Sequence, residues 1–181
     1  DRPQKGRYRE FYQCDADIIG SNSLTNEISF IQLIDSVFKS LGIKGVTVKV
    51  NNRKILSGIA EITGQPEKII DITGAIDKLD KIGVDLVLEE LSNKGLTDES
   101  ISIIKPLLNI KGDYILIISS LKNILKDSMI GLKGVEELEF VFNYFKSNPL
   151  DFVSVQLDMT LARGLNYYTG AIFEVIVDQA K

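Results

Sequence analysis

Residues 153–177 read VSVQLDMTLARGLNYYTGAIFEVIV. In the first nine, Val153, Val155, Leu157, Met159 and Leu161 alternate with Ser154, Gln156, Asp158 and Thr160. Period two over that length is a strand with one apolar and one polar face. The last seven residues return with Phe173, Val175 and Val177 on one side. Strand, turn and strand predict a hairpin, and with it a mostly antiparallel sheet. The residues at the turn, 163–170, hold a cation, two glycines and two adjacent phenols. They have two readings. One is a plain turn with partly exposed tyrosines. The other is a site that holds a phosphate or carboxylate beside a small polar ligand, with Arg163 as its cation.

Upstream of this stretch the texture changes. Between residues 65 and 148 strand signals nearly vanish, and apolar residues recur at three- and four-residue spacing over 69–91, 98–108, 119–130 and 135–145. Glycines punctuate these runs, and Pro106 ends or kinks one of them. Residues 114–118, YILII, are the strand-like exception and fit a buried helical turn equally well. Before residue 65 the pattern is mixed. Residues 9–19 read as a strand, 24–41 as an amphipathic helix closed by Gly42, and 46–50 as a second strand. Asn52 can cap a short helix through Ile55, Ile59 and Ile62. The expected fold class is α+β, with a sheet and flanking helices interrupted by a mostly helical insertion. The expected organisation is 1–64 and 149–181 on one unit, with 65–148 inserted.

Composition narrows the chemistry. The chain has 181 residues, 44% hydrophobic and 25% charged, as expected for one globular domain or a domain with an insertion. It contains no histidine and one cysteine, Cys14. That removes Ser-His-Asp and Cys-His catalysis, zinc fingers and imidazole metal sites, so no bound metal is expected. A single cysteine fits a reducing, cytoplasmic setting. No apolar run is long enough to span a membrane. The chain begins with Asp1, in motif-rich sequence, and is expected to be an excised piece of a longer protein.

Charge is unevenly spread. The net charge is −4, yet Arg2, Lys5, Arg7 and Arg9 stand against Asp1 alone in the first nine residues. A compact basic loop on an acidic chain favours a local anionic ligand over a long nucleic-acid track. A frayed basic terminus is the alternative. Gln13 and Asp17 are four apart, so on a strand they share one face, directed to solvent or to a ligand.

Together these stretches resemble a known family. RPQKGRYREFYQCDAD, residues 2–17, is similar to the second signature motif of class II aminoacyl-tRNA synthetases, and more narrowly of histidyl-tRNA synthetases. LARGLNYYTG, residues 161–170, resembles the histidine-specific motif of the same family. The resemblance implies a partial class II antiparallel sheet and a histidine–tRNA ligase activity. It implies ATP as substrate with Mg2+ carried by the nucleotide, and histidine and tRNA(His) as the other substrates. It also implies a homodimer in the full-length protein. Position by position, Arg7 matches a residue near the outer phosphates of ATP. Gln13 matches the contact to the amino group of histidine, and Asp17 the acid that reads the imidazole. Arg163 matches the catalytic arginine between the histidine carboxylate and the α-phosphate. Tyr167 and Tyr168 match the tyrosine pair of the pocket.

The sequence departs from the family pattern at Asn166, where aspartate is usual. The pattern's leading arginine would fall about two residues before Asp1. The first and third motifs and the anticodon-binding domain are not in the chain, and the fragment alone is expected to be inactive. A non-catalytic relative, such as the regulatory subunit of ATP phosphoribosyltransferase, is the alternative. The retained Gln13, Arg163, Tyr167 and Tyr168 favour the enzyme.

Overall fold

In the computed structural model, residues 8–110, 112–162 and 168–178 are described. The sheet forms around β1, Val46–Asn52. Val46, Val48 and Val50 are buried, and each such side chain stabilises the fold by about 1.5–3 kcal/mol relative to exposure. A strand this apolar takes the centre. β2, Val153–Leu157, pairs with it in parallel, Val46 opposite Val153 and Val50 opposite Leu157. β3, Ala171–Val177, pairs with its other edge antiparallel, Val46 opposite Val177 and Asn52 opposite Ala171.

The order β2-β1-β3 corrects two expectations. Residues 153–177 are not a hairpin, because β1 lies between the two strands, and the three-stranded sheet is mixed. The first strand also stops at Leu157, four residues short of its alternating pattern. Asp158 ends it. The backbone N–H of Leu161 donates to its carbonyl at 3.2 Å, and its side chain accepts from the backbone N–H of Thr160 at 2.9 Å and the Thr160 hydroxyl at 2.6 Å. A carboxylate that captures the backbone two residues on makes a turn in place of a ladder.

A third correction concerns residues 9–19. They read as a strand in sequence but form no regular structure, and every residue from Tyr8 to Ser23 is exposed. A strand-like sequence supplies no hydrogen bonds by itself. Both edges of β1 are taken, and no further strand pairs with β2 or β3 among the described residues.

Seven α-helices are seen among the described residues. α1, Thr25–Leu41, ends on Gly42 in the left-handed conformation, as expected. α2, Arg53–Ile62, starts directly from β1, and the side chain of Asn52 caps it by accepting from the backbone N–H of Lys54. The expected helix over 69–91 divides into α3, Ile69–Ile76, and α4, Leu79–Asn93. α4 is itself broken at Gly83. α5, Asp98–Leu108, ends two residues after Pro106. The ambiguous YILII opens α6, Tyr114–Ile124, whose N-terminus is capped by Asp113. α7, Met129–Ser147, is capped by Ser128.

The last helix of residues 65–148, the stretch expected to be inserted, packs on the remainder. α7 packs on α2, on β1 and on α1, and one continuous apolar core runs from Ile28 to Ile172. The α2–α7 crossing is close because glycines face each other there. A Cβ on Gly58 would lie 2.5 Å from the Cα of Gly131, and one on Gly134 would lie 2.8 Å from the backbone nitrogen of Ile55. Among the described residues no helix is long and apolar enough to cross a membrane.

Candidate functional site at the carboxyl end of the central strand

Because β2 and β3 flank β1 on opposite sides, the chain between Leu157 and Ala171 joins one outer strand to the other past β1. The residues singled out in 161–170 lie on this connection. Arg163 and Tyr167 fall outside the described residues, as does Arg7. Tyr168 is half-buried and packs against the core. Gln13 and Asp17 are exposed on the unpaired segment.

The carboxyl end of β1 holds both ends of the connection. Asn51 is wholly buried, and its side-chain amide donates to the carbonyl of Leu161 at 2.9 Å and, more weakly, to that of Met159 at 3.5 Å. Its Oδ1 accepts from the backbone N–H of Asn52 at 2.8 Å. On the far side, the backbone N–H of Arg53 donates to the carbonyl of Gly170 at 2.8 Å. Leu161 and Ala162 are buried, so the connection stays in the core through residue 162.

A second layer secures this junction. The Asn52 amide donates to Glu137 of α7 at 2.8 Å, and Lys54 forms an ion pair with the same carboxylate. Arg53 is 8% exposed, and its Nη1 has no acceptor among the described residues. Burial lowers the pKa of its guanidinium from the ordinary value. The group remains charged at any working pH.

One face of the sheet beside the junction is polar. Gln156, Lys49 and Glu174 stand in one row across the three strands, with Ser154 and Thr47 one pleat away, joined at 2.9 Å. Lys49 pairs with Asp158 at 2.6 Å. The hydrogen bond it donates to Asp158 raises the pKa of the Lys49 ammonium. For Asp158, burial opposes ionisation most strongly, yet hydrogen bonds from Lys49 and Thr160 together hold its carboxyl below the ordinary range. A cavity of about 480 Å³ opens beside this pair, with Leu79, Leu107 and Ile117 among its apolar walls and Asp80 and Thr160 among its polar ones. Gly83 also lines it, at the break in α4.

None of Asn51, Asn52, Arg53 and Glu137 was singled out as a site residue in the sequence, Asn52 being read only as a helix cap. The only signal was polar: two asparagines and an arginine ending a valine-rich strand. Chemically, the arrangement is a support. A buried amide and a backbone N–H fix where a cation-bearing stretch leaves and rejoins the sheet, next to a polar surface.

A family model described as histidyl-tRNA synthetase matches residues 1–181, the whole chain. The chain belongs to the histidyl-tRNA synthetase family. It is 56% identical over 175 residues to a histidine–tRNA ligase of Christiangramia forsetii and 58% identical over 175 residues to one of Bacteroides fragilis. Each match covers 97% of this chain but 38% of the relative, so the chain spans under half the length of these members of the family. Among solved structures, the histidyl-tRNA synthetase from Nostoc sp. PCC 7120 superimposes with a TM-score of 0.75 at 28% identity, over 87% of this chain and 37% of that one. Membership of the histidyl-tRNA synthetase family agrees with the α+β class read from the sequence.

Proposed function

We propose that this chain is part of a histidine–tRNA ligase. That enzyme joins histidine to ATP as histidyl-adenylate, with release of pyrophosphate, and passes the histidyl group to tRNA(His). The observation that carries the reading is the identity of 56–58% to proteins named as that ligase, in a chain that keeps Gln13, Asp17, Arg163, Tyr167 and Tyr168.

The chemistry asks for these residue types. Adenylate formation is attack of a carboxylate on the α-phosphorus, so two anions must meet. A guanidinium at Arg163 orients them and stabilises the charge that develops. No protein base is needed, since the attacking carboxylate is already ionised, and a chain without histidine can support the step. Neutral imidazole offers one donor and one acceptor. Asp17 and a tyrosine hydroxyl can satisfy both, and an apolar analogue would leave these groups unpaired. Gln13 would meet the amino group of histidine and Tyr167 and Tyr168 would wall its pocket. Arg7 would lie near the outer phosphates of ATP, and Mg2+ would arrive with the nucleotide. Residues 1–64 and 149–181 would form the catalytic part and 65–148 the insertion, in a cytoplasmic homodimer.

The test is histidine-dependent exchange of pyrophosphate into ATP by the full-length protein. Exchange that requires histidine, and falls by roughly 100-fold or more in Arg163→Ala, is expected. No exchange by the wild-type protein would overturn the reading and favour a non-catalytic relative. Residues 1–181 alone are expected to show no aminoacylation, and measurable charging of tRNA by them would refute that.

A further inference from the structure

We propose that Asn51 is a positioning residue for histidine activation: its buried amide sets where the stretch carrying Arg163 leaves the sheet. The inference rests on the proposed ligase activity for its kinetic readout, but not for its structural one.

Three observations carry it. First, Asn51 is fully buried on β1, yet its side chain bonds to no other side chain among the described residues. It bonds to backbone, donating to Leu161 at 2.9 Å and accepting from Asn52 at 2.8 Å. A buried amide so placed fixes the course of the chain, because the alternative is an unpaired polar group in a dry core. Second, Leu161 lies past the end of β2, which stops at Leu157, so the ladder no longer holds it. Its N–H closes the turn on Asp158, and its carbonyl accepts from Asn51. Third, the return end is held by the same strand terminus, where the N–H of Arg53 donates to Gly170 at 2.8 Å and Asn52 pairs with Ala171 in the ladder. The two described ends of the connection, Leu161 and Gly170, are thus both anchored within three consecutive residues, Asn51 to Arg53. Arg163 is two residues beyond the Asn51 anchor. A reacting cation displaced by about 1 Å loses on the order of 100-fold in rate.

The discriminating variant is Asn51→Asp. It is nearly isosteric and keeps Oδ1 to accept from Asn52, but it replaces the donor that faces Leu161 with an oxygen. Two readouts are made on the full-length protein. Hydrogen exchange should quicken at the amides of residues 160–162 and 168–171, while those of residues 46–50 stay protected. The kcat of histidine-dependent exchange should fall about 10- to 100-fold at pH 8, with the melting temperature held within a few degrees. Lowering the pH toward 6 should recover part of the loss relative to wild type, because a buried carboxyl facing a carbonyl is protonated readily and then donates. Asn51→Ala, which loses both bonds, should show the kinetic loss without the recovery.

Unchanged kcat in Asn51→Asp would overturn the proposal. So would a loss of activity that merely tracks the unfolded fraction, or exchange that quickens uniformly across the sheet. If the wild-type protein has no histidine-dependent exchange, the ligase reading fails. The local hydrogen exchange then still decides whether Asn51 anchors the connection.

Discussion

Single side chains at the end of β1 carry much of the organisation, and Asp158 shows how. It is buried, pairs with Lys49 and closes the turn through Thr160. Asp158→Asn keeps the turn's acceptor and loses the ion pair, and should cost about 2 kcal/mol near neutral pH. The folded pKa of Asp158 lies below its ordinary 3.8, so its contribution is present above 3.8 and is lost as pH falls through the folded value. Lys49 is shifted upward from 10.5, so its contribution is present below 10.5 and is lost as pH rises through its higher folded value. Urea midpoints of wild type and variant should therefore differ across neutral pH and converge at both extremes. A constant difference from pH 2 to 12 would rule out the ion pair as its source.

At the scale of elements, the α2–α7 crossing ties the helices of residues 65–148 to the strand that anchors the 157–171 connection. Gly58 and Gly131 meet backbone to backbone, so Gly58→Ala forces the two helices apart. Elsewhere in a helix the same change would raise stability by up to about 1 kcal/mol. Here it should cost about 1–3 kcal/mol, measured by chemical denaturation. Because α7 presents Glu137 to Asn52 and Lys54, the variant should also loosen the start of α2. Most elements were legible from local pattern. The Asn52 cap, the Gly42 stop and α5 needed only spacing and cap chemistry. The pairing of strands was not legible, since alternation marks a strand without naming its neighbour. Residues 9–19, also read as a strand, form none: Phe11 is 70% and Ile19 93% exposed, and no strand pairs with them among the described residues. The site divides in the same way. Arg163, Tyr167 and Tyr168 stood out by composition as candidates, and the family resemblance supplied their proposed roles. Asn51 could not, because a buried amide acquires its role only from the carbonyls that topology brings to it.

Across the whole molecule, both ladders of β1 are remote in sequence. Thr47 meets Ser154 across 107 residues, and β3 lies further on still. Closing so long a loop is slow and gains nothing until contacts form, whereas the intervening helices need only near neighbours. The order of assembly follows. The helices from α2 to α7 should gather first and shorten the tether, and β1 should acquire its partners last. Refolding watched by circular dichroism and pulsed hydrogen exchange should show helical signal before protection at Val48 and Val50, and simultaneous gain would contradict this order. The anchors that Asn51 and Arg53 give the connection are thus late products of folding. Residues 65–148 should act during folding as the folded spacer that delivers β2 and β3 to β1.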